Sequence, residues 1–307
     1  MPELRDFMPA LQNKVYFNYG GQGPLPTPSL EEIKASWVKI QELGPFSNDV
    51  WPYLAAEIQK TREKLASACG VPPNRLALTE NVTTGCVLPI WGLPFKNNDR
   101  LLISDCEHPG VIGACKELAA RKKLAIDTLP VSEVRHGINE SDKTISSVLD
   151  ILKRCLRPNT RLVVISHLLW NTGQIMPIEA ISNVLSSHPQ KPFFLVDGAQ
   201  SFFQIPINSA AEKADIYAFT GHKWACGPEG LGGVALSERA LSESRPTFIG
   251  WRSLKHEGNS DVLSENLFHK DSRKFEIATS CIPLLAGLRC SLELLEKEGS
   301  PLSRSAK

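Results

Sequence analysis

Short β-rich runs alternate with helical segments along most of the 307-residue chain, and this alternation limits the fold more than any other feature. The runs lie at 75–79, 100–104, 125–131, 161–168, 193–199, 215–220 and 232–237. Helical patterns follow the first four of them, at 84–93, 110–123, 147–156 and 178–188. Strands that alternate with helices build βαβ units. We therefore predict an α/β fold with a mostly parallel seven-stranded sheet that is covered by helices on both faces.

A further helical pattern lies towards each end of the chain. After a turn rich in glycine and proline, we predict a helix that Thr27 or Ser29 caps, with Glu31 and Glu32 in its first turn. Residues 282–299 also have helical spacing and end at a glycine. This second pattern predicts a long helix.

The charge of the chain is nearly balanced, because 34 Lys and Arg face 33 Asp and Glu and leave a formal net charge of +1. Such a balance gives no electrostatic reason for a nucleic-acid partner or an anionic membrane, so a small-molecule partner is favoured. No apolar stretch reaches the roughly 20 residues that span a bilayer, and the start lacks the apolar core of a signal peptide. We therefore expect a cytoplasmic protein.

The eight cysteines are scattered without a C-x-x-C pair, which is typical of reduced and mostly packed thiols. No pair of His, Cys or acidic residues has the spacing of a zinc or iron site. We therefore expect no metal site.

Polar segments follow most of the predicted strands. They read ENVTTG after the first run, DCEHPG after the second, WNTG after the fourth, DGAQ after the fifth and GHK after the sixth. Open α/β sheets bind their ligands at the carboxyl ends of the strands. We therefore expect these segments to meet along one edge of the sheet and form the site.

Three groups at this edge suit a single cofactor. Asp197 ends a strand, where a buried carboxylate requires a cationic partner. Lys223 is followed by the apolar Trp224, and such surroundings lower the pKa of a lysine and make its amine a nucleophile that forms Schiff bases. The start of a helix, with the hydroxyls of Thr83 and Thr84, suits an anion. An aldehyde for the lysine, a ring nitrogen for the aspartate and a phosphate for the helix describe pyridoxal 5′-phosphate (PLP).

Each of these residues has an ordinary structural explanation when it is taken alone. Asp197 before a glycine is typical of a turn, Lys223 of a solvated surface, and His108 before a proline of a helix cap. We expect His167 to be a core histidine and Cys226 to be a packed thiol. The joint occurrence of the required groups at five strand ends favours the cofactor site.

Four segments, CEHPG, SHLLWNTG, VDGAQ and FTGHKWACGPEGLGG, resemble the class V aminotransferase family of PLP enzymes, which includes cysteine desulfurases and C–S lyases. Within this family, YFNYGGQG, NVTTGC and IGWRS are most similar to cyanobacterial C–S lyases that act on L-cysteine and cystine. The resemblance extends from about residue 11 to about residue 298. It implies a PLP-dependent transferase fold of type I and a homodimer with a shared active site.

The resemblance also implies a role for each matching catalytic residue. Lys223 would bind PLP as a Schiff base and move the substrate α-proton, while Asp197 would keep the pyridine nitrogen protonated. His108 would stack on the ring and Gln200 would hydrogen-bond its 3-hydroxyl. Asn171 would lie near that oxygen and the substrate carboxylate.

By the same resemblance, further residues hold the phosphate or border the substrate pocket. The expected phosphate ligands are Thr83, Thr84, Thr220, His222 and, across a dimer interface, Thr279. The expected substrate contacts are Gly20, Gly21, Asn171, Trp251 and Arg252.

The resemblance further implies a division of the chain. We expect an N-terminal segment with a substrate-side loop at 1–30, a PLP-binding large domain at 31–270, a connecting helix region at 271–299 and a tail at 300–307. A small C-terminal domain would begin at this tail and is expected to be largely missing. In the family this domain supplies an arginine for the substrate carboxylate, and Arg252 is the expected substitute.

The pocket decides the reaction, because PLP makes the α-proton acidic whatever follows. The resemblance favours β-elimination of L-cysteine or cystine to pyruvate, ammonia and sulfide or persulfide. Two alternatives stay open. One is a cysteine desulfurase or another class V aminotransferase, with a sulfur-acceptor protein as a partner. The other is a homologue that binds PLP and is catalytically impaired.

Overall fold

The computed structural model describes residues 4–136, 141–255 and 267–305. Its strands are β1 (Leu76–Thr79), β2 (Arg100–Ser104), β3 (Ala125–Leu129), β4 (Thr160–Ser166), β5 (Phe193–Asp197), β6 (Ile216–Thr220) and β7 (Gly232–Leu236). They form one sheet in the order β1-β7-β6-β5-β4-β2-β3. Strand β7 runs antiparallel to β1 and β6, and the other neighbours are parallel. The predicted α/β fold with a mostly parallel seven-stranded sheet is confirmed.

Helices follow most of the strands, as predicted. The α-helices of the described residues are α1 (Thr27–Leu43), α2 (Val50–Cys69), α3 (Val82–Trp91), α4 (Pro109–Lys122), α5 (Ser141–Cys155), α6 (Ile178–Ser187), α7 (Asn208–Lys213), α8 (Glu238–Glu243), α9 (Ile282–Lys297) and α10 (Pro301–Ser305). None of the helices in these residues combines the length and the apolar character that crossing a bilayer requires.

Apolar side chains cover both faces of the sheet. Successive residues of a strand point to opposite faces. Val163 and Ile165 of β4 therefore pack with residues of α2, α5, α6, α7 and α9, whereas Leu162 and Val164 pack with residues of α3, α4 and α8. Burial on both faces explains the nearly continuous apolar runs. It also holds the strand ends firmly, and these ends carry the site.

The start of α1 differs from the prediction. The helix begins at Thr27, directly after the extended Pro26, and no side-chain hydrogen bond from the described residues caps it. Ser29 is buried instead of capping, and Glu31 and Glu32 fall beyond the first turn. The ring of Pro26 fixes its φ angle, so the extended segment ends and the helix begins at this point without a capping side chain.

Helix α2 has no counterpart among the predicted elements. It buries Glu57, Thr61 and Arg62, three polar residues at positions that face the interior. Polar residues at core-facing positions obscure the apolar period from which a helix is identified. The long C-terminal helix was predicted at 282–299 and is observed as α9, which packs along α1. The domain boundaries stay predictions.

Candidate active site

The carboxyl ends of β1, β2, β3, β4, β5 and β6 lie on one edge of the sheet, because these strands run in the same direction. In register, Ser166 of β4 pairs with Asp197 of β5. Thr79 of β1 and Thr220 of β6 both pair with Gly232 of β7. The polar segments that follow these strands therefore start next to one another.

A cavity of about 710 Å³ opens at this edge. Three of the predicted cofactor ligands line it, namely His108, Gln200 and Lys223. The predicted substrate contacts Gly20 and Gly21 line it as well. Phe17, Asn18, Trp170 and Trp224 add further walls.

Asp197 is a buried carboxylate in this site. The backbone N–H of Ala199 donates to its Oδ1 at 2.8 Å. Burial raises the pKa of Asp197, while the Ala199 hydrogen bond and the positive charges of Lys223 and His108 lower it. A carboxylate that faces basic groups at such a position is suited to stabilise a protonated ring nitrogen.

Lys223 is partly buried in the turn after β6. Burial lowers the pKa of its amine below the usual 10.5, and the charge of Asp197 offsets part of this effect. The lowered pKa increases the fraction of neutral amine, which is the nucleophilic form. Lys223 therefore has the properties of a Schiff-base lysine.

The start of α3 offers hydrogen-bond donors to an anion. Asn81 caps the helix, since its Oδ1 accepts from the backbone N–H of Thr84 at 2.9 Å and from the Thr84 hydroxyl at 3.1 Å. No hydrogen bond joins the backbone N–H of Val82 or Thr83 to another described residue. These two donors and the exposed Thr83 hydroxyl suit a phosphate. The backbone N–H and the hydroxyl of Thr84 are already bonded to the capping side chain of Asn81.

Two other predicted phosphate ligands lie together at the end of β6. The hydroxyl of Thr220 and Nδ1 of His222 form a hydrogen bond of 2.8 Å. Burial and the charge of Lys223 lower the pKa of His222. This imidazole is therefore disposed to stay neutral beside the lysine.

His108 caps a helix and borders the cavity at the same time. Its Nδ1 accepts from the backbone N–H of Gly110 at 3.1 Å at the start of α4. Its ring makes an edge contact with Trp170, with 6.5 Å between ring centroids. The explanation of His108 as a helix cap and its explanation as a residue of the cofactor site are therefore compatible. Asn171, which follows Trp170, is exposed.

The remaining predicted residues, Trp251, Arg252 and Thr279, are not among the residues that line the cavity. The guanidinium of Arg252 lies over the ring of Trp251 at 4.6 Å, and its backbone N–H donates to the carbonyl of Ile277. Thr279 is exposed two residues further along the chain. The roles of Trp251 and Arg252 beside the substrate and of Thr279 across a dimer interface stay predictions.

Glu107 was not among the predicted residues, although it directly precedes His108 in CEHPG. Its carboxylate accepts from the backbone N–H of Ser166 at 2.7 Å, from the Ser166 hydroxyl at 2.8 Å and from the Ser104 hydroxyl. Burial, followed by the charge of Asp197, raises the pKa of Glu107 to about 7. Glu107 therefore joins the ends of β2 and β4 directly beside the site. An acidic residue after an apolar strand is the signal that could have identified it.

Two residues that the sequence assigns to packing are packed. His167 is buried and its Nδ1 lies 2.9 Å from the hydroxyl of Tyr217, while burial lowers its pKa to about 4. Burial raises the pKa of Cys226 to about 12, so its thiol is inert. Both expectations are confirmed. In the described part of the chain, no group of three or more His, Cys, Asp or Glu side chains is arranged to hold a metal ion.

The residues present fit PLP. A partly buried amine with a lowered pKa and a buried carboxylate interact electrostatically at the edge where α3 begins with unused N–H donors. These are the groups that an aldehyde, a pyridine nitrogen and a phosphate require.

Comparison with solved structures identifies similar chains that carry this chemistry. The complex of the cystine C-S lyase C-DES with its reaction product cysteine persulfide is 40% identical, with a TM-score of 0.87, and the match covers 96% of this chain and 75% of that chain. A C-DES mutant with glycine covalently linked to the PLP cofactor is 38% identical, with a TM-score of 0.90, and the match covers 100% and 77% of the two chains.

Named proteins give a broader set of relatives. Isopenicillin N epimerase of Streptomyces clavuligerus is 27% identical over 256 residues, which are 83% of this chain and 61% of the epimerase. A probable cysteine desulfurase of Methanothermobacter thermautotrophicus is 23% identical over 298 residues, which are 97% of this chain and 70% of that protein. The family model described as Aminotransferase class-V matches residues 49–305. The chain therefore belongs to the class V aminotransferase family.

Proposed function

We propose that the protein is a PLP-dependent C–S lyase that cleaves L-cysteine or cystine by β-elimination and releases pyruvate, ammonia and sulfide or persulfide. The observation that carries the proposal is the buried Asp197 carboxylate, whose charge acts on the partly buried Lys223 amine, beside a cavity that Lys223 lines. The similarity to the cystine lyase C-DES supports the choice of substrate.

When bound, PLP supplies an electron sink that makes the α-proton of an amino acid acidic. Asp197 would keep the proton on the pyridine nitrogen, because a nearby cation stabilises the negative charge of this buried carboxylate. Lys223 would hold the aldehyde through Nζ and then take the α-proton on the same atom, for which its lowered pKa suits it. His108 and Gln200 line the cavity together with Lys223.

The phosphate and the substrate carboxylate would be held by the outer parts of the site. We assign the phosphate to Thr83, Thr84, Thr220 and His222, with Thr279 from a second subunit of a homodimer. We assign the substrate to Gly20, Gly21, Asn171, Trp251 and Arg252. The homodimer, a sulfur-acceptor protein as a further partner and a cytoplasmic location are parts of this proposal.

A cysteine desulfurase is the second candidate, since several relatives carry that name. Desulfuration requires a cysteine nucleophile that reaches the substrate. No cysteine is among the described residues that line the cavity, and burial raises the pKa of both Cys106 and Cys226. This observation favours elimination, because a carbanion expels the β-sulfur without a thiol.

The co-product separates these candidates. Purified protein loaded with PLP is incubated with L-cysteine and, in parallel, with cystine, and the products are measured. The proposal expects pyruvate and ammonia in equal amounts, together with sulfide or persulfide. Alanine in place of pyruvate would identify a desulfurase. Bound cofactor without either product would identify a catalytically impaired homologue.

A further inference from the structure

Gln200 uses both ends of its side-chain amide within the protein. Its Oε1 accepts a hydrogen bond from the indole Nε1 of Trp224 at 2.8 Å. Its Nε2 donates to the backbone carbonyl of Gly20 at 3.0 Å. The amide therefore links the residue after Lys223 to the N-terminal part of the chain.

The two partners allow one orientation of this amide. An indole N–H is a donor without acceptor capacity, and a carbonyl oxygen is an acceptor without donor capacity. If the amide of Gln200 turned over, its nitrogen would face the N–H of Trp224 and its oxygen would face the carbonyl of Gly20. Both contacts would become repulsive. Trp224 and Gly20 therefore determine which atom of Gln200 is the donor.

The same bonds hold a segment that forms one wall of the cavity. We call residues 16–23 the N-terminal strap; its Gly20 and Gly21 line the cavity together with Lys223. The ring of Tyr19 stacks on Trp224 with centroids 5.8 Å apart, and the backbone N–H of Gly23 donates to the carbonyl of His222 at 2.7 Å. The strap thus contacts both residues that flank Lys223.

We infer that Trp224 is a positioning residue that acts through Gln200. Its N–H turns the amide so that Nε2 holds the N-terminal strap in place as a wall of the substrate cavity. The effect on the strap is independent of the proposed function, whereas the effect on catalysis rests on it.

The test begins with the cofactor-free full-length protein, so that it needs neither PLP nor turnover. Hydrogen exchange followed by mass spectrometry is measured for peptides that contain the strap. W224F keeps an aromatic ring for Tyr19 and removes the N–H donor. We expect exchange of the strap amides to rise about fivefold, the usual effect of losing one hydrogen bond. Peptides from β5 and β6 should keep their protection, which shows that the variant is folded.

Two further variants separate a role through Gln200 from a general effect of losing a tryptophan. W37F removes an indole N–H on the outer face of α1, where the side chain is 49% exposed, and should leave exchange of the strap unchanged. Q200M removes both bonds of the amide. If Trp224 acts through Gln200, W224F should add no further acceleration in the Q200M background.

With PLP bound, W224F should raise KM for the sulfur amino acid about fivefold and leave kcat within about twofold, since the wall of the cavity changes and Lys223 does not. Wild-type exchange of the strap in W224F, or equal acceleration by W224F with and without Gln200, would overturn the inference. A protein that shows the exchange effects but cleaves neither cysteine nor cystine would refute the proposed function and leave the role of Trp224 intact.

Discussion

Burial raises the pKa of Asp197 and lowers the pKa of Lys223, and the charge of each residue opposes that shift in the other. The charge of Lys223 therefore helps the Ala199 hydrogen bond to stabilise the Asp197 carboxylate, and the charge of Asp197 offsets part of the effect of burial on Lys223. This interaction connects the two groups that a PLP enzyme needs most, a carboxylate for the ring nitrogen and an amine for the aldehyde.

Asp197→Asn removes the carboxylate and keeps the shape of the side chain. We expect kcat/KM for cystine to fall by roughly 100-fold or more, because the protonated ring nitrogen of bound PLP would lose its carboxylate. A buried cation that loses its partner costs about 3 kcal/mol. Steady-state kinetics on PLP-loaded protein measure the effect. Thermal unfolding of the cofactor-free variant is the control and should show a single cooperative transition, which establishes that the variant is folded. Wild-type kcat/KM in the Asp197→Asn enzyme would show that this carboxylate has no catalytic role.

Gly23→Ala tests the close contact between the N-terminal strap and the lysine turn. A Cβ at Gly23 would lie 2.0 Å from the backbone carbonyl oxygen of Lys223, so the strap has to move. We expect faster exchange of the strap amides and a higher KM. Gly113→Ala in α4 is the matched control, because a Cβ there meets no atom within 4 Å, and alanine should stabilise the helix by up to about 1 kcal/mol. Equal exchange rates of the strap amides and equal KM values in the two variants would contradict a close contact between Gly23 and the carbonyl of Lys223.

A buried ion pair fixes the segment that leads to Thr279. Arg62 of α2 and Glu276 are both buried and joined by two hydrogen bonds, and Glu276 also accepts from the backbone N–H of Leu78 at 2.9 Å. Arg62→Ala leaves Glu276 buried without its cation, so we expect the free energy of unfolding to fall by about 3–5 kcal/mol.

Arg273→Ala provides the comparison, since it breaks an ion pair with Asp271 in which the arginine side chain is 47% exposed. This change should cost less than about 1 kcal/mol. Urea unfolding at one protein concentration measures both variants. Similar losses for the two arginines would be inconsistent with the buried pair.

Glu107 predicts a pH dependence of stability. Burial raises its pKa from 4.5 to about 7, so the folded protein binds more protons than the unfolded chain between these values. The free energy of unfolding should therefore fall as the pH rises through this window. His167 acts in the opposite direction below its usual 6.5, because burial lowers its pKa to about 4.

The difference between the wild type and Glu107→Gln isolates the contribution of Glu107. Urea unfolding of the cofactor-free proteins from pH 4.5 to pH 8 should show that the variant loses part of the decline. Parallel pH profiles would mean that Glu107 ionises in the folded protein as it does in the unfolded chain.

Local pattern was sufficient to predict all seven strands and the helices that follow the first four of them. Strands β5, β6 and β7 are buried along their whole length, and burial of that kind leaves a continuous apolar run that is visible in the sequence. Helix α2 escaped prediction because Arg62 and Glu57 occupy its core-facing positions and find their partners more than two hundred residues away. A pairing at that distance leaves no local signal.

The candidate site was predictable as a set of strand ends, whereas the connections between its residues were not. The direction of the strands was enough to place Lys223 and Asp197 at the same edge of the sheet. The positions of Trp224 and Glu107 gain their meaning from partners on other elements, Gln200 and Ser166. The engagement of Thr84 by the helix cap is likewise a consequence of local geometry that the residue type alone does not reveal.

The most direct test asks whether Lys223 carries the cofactor. The protein is loaded with PLP, its visible absorption is recorded, and borohydride is added before digestion and peptide mapping by mass spectrometry. We expect the absorption to be bleached and a reduced pyridoxyl group to appear on Lys223. Lys223→Ala should lose both signals, and Lys34→Ala, at a lysine on the outer surface that is 59% exposed, should keep both. A pyridoxyl group on another lysine, or unchanged absorption in Lys223→Ala, would contradict the account.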